Sequence, residues 1–129
     1  MATPAHPPNW YVGWALLLAA FTSGAAIGLF FHRSNWLGGY DSFPRRLLRL
    51  GHIAMAALGM VNVIYALSPW PPDDSPQAAI AGVCWVVGGV SMPAVCWLTA
   101  WRAWGRWLFG IPVTALISGA VWTLLGAAP

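Results

Sequence analysis

His52 has the widest range of possible chemistry in this 129-residue chain. It lies in the second of four long apolar runs, and Arg45, Arg49 and His52 follow i, i+4, i+7 spacing. On a helix that spacing puts all three on one face. His32 ends the first apolar run, at a comparable depth if the second helix begins among lipid headgroups. Two imidazoles at one level on different helices can ligate the iron of haem b, leaving arginines for its propionates. Met55, one turn beyond His52, offers another axial ligand. A quinone is the other redox partner such a pair could serve. The plainer expectation is a histidine bonded to a carbonyl or a lipid phosphate, beside Arg45, Arg46 and Arg49 acting as lipid contacts.

Aromatic residues supply the second candidate surface. The chain carries ten tryptophans, and Trp97, Trp101 and Trp104 share one helical face. Trp36 and Trp107 should lie at the same level, with Trp10, Trp14, Trp70 and Trp122 at the opposite one. Two aromatic belts at the membrane interfaces explain most of them. A stripe this dense could also stack on a pigment or quinone, which makes Trp97 and Trp101 candidate cofactor contacts. Trp85 lies deeper than a belt requires.

Other chemistry is missing. The sequence shows no metal-ligand cluster, Gly-rich phosphate loop, Ser/His/Asp set or facing carboxylates, so neither a catalytic nor a metal site is expected. Asp73 and Asp74 are adjacent and suit a cation or a basic partner better than catalysis. His6 is expected to be solvated in an outer tail.

These residues must be positioned by apolar helices. The chain is 59% hydrophobic and 7% charged, whereas soluble domains carry roughly 25% charged residues. Spans are predicted at about 10–31, 47–67, 77–101 and 107–127, forming one integral membrane domain. The fold class is therefore all-α, a four-span bundle of two antiparallel hairpins. Residues 1–9 read as a non-helical Pro-rich tail. Ser42 is a plausible N-cap for the second helix, with Pro44 in its first turn. Pro93 should kink the third helix, with Ser91 rebinding the carbonyl it frees. Residues 102–106 should form a short turn joining antiparallel neighbours. Gly24 with Gly28, and Ala115 with Gly119 and Thr123, form small-residue faces suited to helix packing. Asn62 should find Thr114, Ser118 or a backbone carbonyl. Cys84 and Cys96, twelve positions apart on one helix, are too distant for a disulfide and read as small hydrophobes.

Charge sets the expected orientation. Arg33, Arg45, Arg46 and Arg49 surround the first junction, and Arg102 and Arg106 lie in the third. Basic residues near spans remain cytoplasmic, so both termini should lie outside. The net charge of +3 then belongs to lipid headgroups rather than to nucleic acid. All six basic side chains are Arg, as in GC-rich bacterial genomes, so a bacterial inner membrane is expected. The span count is similar to that of small multidrug exporters. That family relies on a Glu in its first span, and residues 10–31 contain none. With no ionisable group deep in hydrocarbon, ion-coupled transport is excluded. The expected function is a non-catalytic accessory subunit of a larger bioenergetic membrane complex, respiratory or photosynthetic, contacting lipids and other transmembrane subunits. The alternative is a small haem- or quinone-binding electron carrier using His52 and His32.

Overall fold

Proline and serine punctuate the helices. In the computed structural model, which describes residues 5–69, 71–72 and 74–127, α1 (Pro7–Phe30), α2 (Phe43–Leu67) and α3 (Pro76–Trp101) each carry proline within the first two helical positions. A proline there loses an N–H that had no intrahelical partner anyway. Ser42 caps α2 by accepting from the Arg45 amide, and Ser75 caps α3 by accepting from the Ala78 amide. The cap expected at Ser42 is therefore formed. The N-terminal tail is a correction: Pro7, Pro8 and Asn9 are helical, because two prolines fit a first turn as readily as they break an interior one. Trp70, Asp73 and the first four residues of the tail lie outside the described residues.

The chain continues from α3 almost without a loop. Residues Ala103–Phe109 form a 3-10 stretch leading into α4 (Gly110–Gly126), so the expected turn at 102–106 is an extended Arg102 followed by 3-10 helix. Pro112 falls in the first turn of α4. Helix α3 runs unbroken through the buried Pro93. Ser91 donates to the carbonyl of Val87 at 2.6 Å, one turn back on its own helix, rather than to the Gly89 carbonyl that Pro93 leaves open.

All described residues are helical or irregular, with no strand among them, and four helices are long and apolar enough to cross a membrane. Their packing follows close-approach glycines. A Cβ on Gly13 would lie 2.8 Å from the Gly59 carbonyl, and one on Gly24 would meet the His52 ring at 2.7 Å. α1 and α2 are therefore antiparallel. Gly51 lies against Trp97, and Tyr65 bonds the Ala78 carbonyl, which makes α2 and α3 antiparallel too. Gly88 lies against Leu116 and Gly126 against Gln77, repeating the relation for α3 and α4. Asn9 reaches Gly82 and Leu16 reaches Gly89, so α1 and α3 run parallel.

The four helices do not close into a square. α2 lies between α1 and α3, α1 also touches α3, and α4 packs chiefly on α3 and its own 3-10 stretch, with Gly126 also against Pro71 in the segment before α3. A small core of Leu16, Ala20 and Met55, with Trp97 against it, joins the first three. This topology gathers all six arginines at one end of the molecule and places Asp74 at the other.

Candidate functional site

Three places hold polar groups among apolar helices, and each is built differently. At the arginine end, Arg45 lies on the first turn of α2 and is only 2% exposed. Its guanidinium donates to the carbonyl of Phe31 at 3.1 Å and approaches that of Arg33 at 3.5 Å. The rings of Phe31, Trp36 and Tyr40 surround it, with centroids 5.3, 5.5 and 5.1 Å from the guanidinium carbon. A cation at a helix N-terminus opposes that helix's dipole by about 0.3–1 kcal/mol. Arg45 accepts that cost because it caps the C-terminus of α1, where a cation is favoured, while each desolvated ring contact contributes up to about 2 kcal/mol. The loop it holds is strained at Leu37, whose φ is 54°, and continues through Gly38 and Gly39 at 86° and 99°, values glycine adopts freely.

The neighbouring arginines behave differently. Arg49 stands over the Tyr40 ring at 4.3 Å and reaches its carbonyl at 3.4 Å. Arg46, Arg33, Arg102 and Arg106 are exposed. The trio at 45, 46 and 49 is thus split between one buried structural cation, one half-buried residue and one open to a phosphate.

His52 lies further along α2, against α1. Ser23 Oγ is 3.1 Å from its Nδ1 and also 3.1 Å from the carbonyl of Ala20. A hydroxyl has one proton, so if Ser23 donates to Ala20, His52 carries its proton on Nδ1 and presents a bare Nε2. Nε2 has no hydrogen-bond partner among the described residues. His32 is exposed in the loop after α1. The α1 residue facing His52 is Gly24, eight positions earlier, or roughly 12 Å of helix rise. The structure therefore does not bring His32 and His52 together. Met55 points into the three-helix core instead. Beside Ser23, a pocket of about 200 Å³ is walled by Phe30, Trp36, Leu48 and Trp97. Trp97 donates to the Leu48 carbonyl at 3.4 Å, whereas Trp101 is 62% exposed and does not reach this pocket.

At the opposite end, Asn62 is completely buried. Its amide nitrogen donates to the carbonyls of Leu58 at 2.9 Å and Trp85 at 3.1 Å, and its oxygen accepts from Asn9 at 2.9 Å. Asn9 also donates to the Gly82 carbonyl at 3.1 Å. This network ties α1, α2 and α3 together: of the expected partners Asn62 finds backbone carbonyls, though not one freed by a proline, and neither Thr114 nor Ser118. Those residues lie on α4, which does not pack on α2, and Thr114 bonds carbonyls of its own helix. His6, expected in solvent, is 8% exposed and stacks on Tyr65 with centroids 4.5 Å apart. Above Asn9 opens a cleft of about 470 Å³ between the first turn of α1 and the outer side of α3.

Small residues divide in the same way. Gly24 meets His52, but a Cβ on Gly28 would touch nothing within 4 Å, so Gly28 takes no part in helix packing. The close crossing is Gly13 on Gly59 instead. Gly119 lies under Trp85, and Thr123 accepts from the Trp85 indole at 3.0 Å, which accounts for that deep tryptophan. Ala115, half-buried, continues the face. Both cysteines are free, Cys96 buried and Cys84 half-buried. Neither Asn9 nor Tyr65 stands out from residue type or spacing alone. A polar residue directly after a Pro-Pro pair could have been read as first-turn helix, and hence as facing a neighbour.

Compared with known proteins, the chain matches no family model, no curated protein and no solved structure.

Proposed function

We propose that this chain is a multi-pass protein of a bacterial inner membrane and a non-catalytic accessory subunit of a larger bioenergetic complex, respiratory or photosynthetic. One observation carries this reading: the buried polar side chains within the helices bind neighbouring helices or their own backbone. Asn9, Asn62, Tyr65 and Thr99 all do so. Such groups hold a scaffold together and leave little for turnover. The arginine end faces the cytoplasm, both termini lie on the other side, and Arg33, Arg46, Arg102 and Arg106 meet anionic lipid there. The wide apolar surfaces of α1 and α4 face lipid or neighbouring transmembrane subunits, and no nucleic-acid partner is implied. Gentle solubilisation followed by native mass spectrometry tests this. The expected result is co-purification with other membrane subunits, and a stable monomer with its own turnover would end it.

A second reading, electron transfer through haem b or a quinone, is favoured by His52 Nε2, which lies against Gly24 without a hydrogen-bond partner among the described residues. With His32 out of reach, a haem would need its other ligand from a neighbouring molecule. An absorption spectrum of the purified protein decides the haem form, since a missing Soret band removes it.

A further inference from the structure

Two polar side chains line the cleft, His6 and the more deeply buried Asn9, and the hydrogen-bond network settles what Asn9 can do. Asn62 Nδ2 faces two carbonyls, those of Leu58 and Trp85, which can only accept. That fixes Asn62 Oδ1 as the atom facing Asn9, so Asn9 must present its nitrogen. One Asn9 proton goes to Asn62 Oδ1 and the other to the Gly82 carbonyl. Both donors are spent. What remains is Asn9 Oδ1, which accepts none of the hydrogen bonds found among the described residues. Asn9 is only 3% exposed, yet it lines the cleft. A Cβ on Gly82 would come 3.1 Å from Oδ1, so the oxygen lies over a glycine floor that leaves it room.

The cleft's walls reinforce this polarity. Pro7 and Pro8 line it at the start of α1, and neither has an N–H. Val83, Val86 and Val87 of α3 form an apolar wall, and His6 stands at the rim, stacked on Tyr65. The volume, about 470 Å³, falls within the range of roughly 300–1,000 Å³ typical of small-molecule sites.

We infer that this cleft binds an apolar molecule bearing a hydroxyl, which donates to Asn9 Oδ1 while its hydrocarbon lies along the three valines. A ligand offering only lone pairs, such as an ether or a fully oxidised quinone, meets oxygen with oxygen at Asn9 and binds more weakly. The hydroxyl has two natural sources, a quinol ring or a lipid-like alcohol. The site is independent of His52 and of any partner subunit.

Side-chain amide signals of the ¹⁵N-labelled full chain read the site directly, because only Asn9, Asn35 and Asn62 contribute asparagine pairs. The protein is held in lauryldimethylamine oxide, a detergent without hydroxyls, and titrated with 4-octylphenol, 4-octylanisole and 1-decanol. The Asn9 pair is expected to shift saturably with a hydroxyl probe, about tenfold more tightly than with the anisole, as one neutral hydrogen bond allows. Preference for octylphenol assigns the quinol source, and preference for decanol assigns the lipid source. Val86→Phe fills the cleft and should abolish the shift while the Asn9 and Asn62 signals persist. Equal affinity for phenol and anisole, undiminished binding in V86F, or no saturable shift with either hydroxyl probe overturns the inference.

Discussion

At the scale of residues, three neighbouring arginines of one type have separate fates. Arg45 caps α1 from inside an aromatic cage, whereas Arg46, one position on, is exposed. Lysine cannot spread its charge over two carbonyls and three rings, so Arg45→Lys should lose about 2–3 kcal/mol of stability. Arg46→Lys should change it by less than about 0.5 kcal/mol. Thermal unfolding in detergent measures both, and equal melting of the two variants would contradict the cage. The sequence revealed the shared helical face of Arg45 and Arg49 through their spacing. It did not reveal burial, because the cage comes from Phe31, Trp36 and Tyr40 in a loop whose course depends on Leu37 at positive φ. A leucine gives no signal for that conformation. Gly39 needs its own left-handed φ of 99°, although a Cβ there would find nothing nearer than 3.7 Å. Gly39→Ala should therefore cost about 1–2 kcal/mol from backbone conformation alone.

At the scale of elements, apolar runs predict where helices lie far better than which faces meet. Four runs gave four helices, and the Ser42 cap was readable because serine before a Pro-containing first turn has a local mechanism. Helix contacts are not local. Gly24 and Gly28 make a recognisable spacing, yet Gly28 faces open space while Gly13, with no such partner in its own helix, makes the close approach to Gly59. Gly13→Ala should cost about 1–3 kcal/mol, since a methyl would press on the Gly59 carbonyl and on Val63. Gly28→Ala should be neutral or stabilising by up to about 1 kcal/mol, through helix propensity. Denaturation of the two variants under one condition separates these expectations. Asn62 was recognisable as a pairing residue, but its partner Asn9 fell in what read as a tail, so the lock among three helices was invisible until α1 was seen to start at Pro7.

At the scale of the whole molecule, charge and topology agree. The antiparallel helices gather the arginines at one end and put Asp74 at the other. In a membrane, single cysteines placed at Ser34 and Asp74, with Cys84 and Cys96 replaced, should react with an impermeant reagent from opposite sides, Ser34 from the cytoplasm. Labelling of both from one side would refute the orientation. Helix number and order were legible from hydropathy. The open arrangement was not, because nothing in α4's composition says that it has one neighbour rather than two.

That lopsided attachment implies an order of disassembly. The first three helices are bolted together by hydrogen bonds of two asparagine amides, while among the described residues the fourth is held by one indole–hydroxyl hydrogen bond and a strip of glycine contacts. Warming should peel away the C-terminal quarter first and leave a three-helix remnant. Amide hydrogens of Ala103–Gly126 would then exchange with heavy water well before those of α2, on a chain that is still mostly intact.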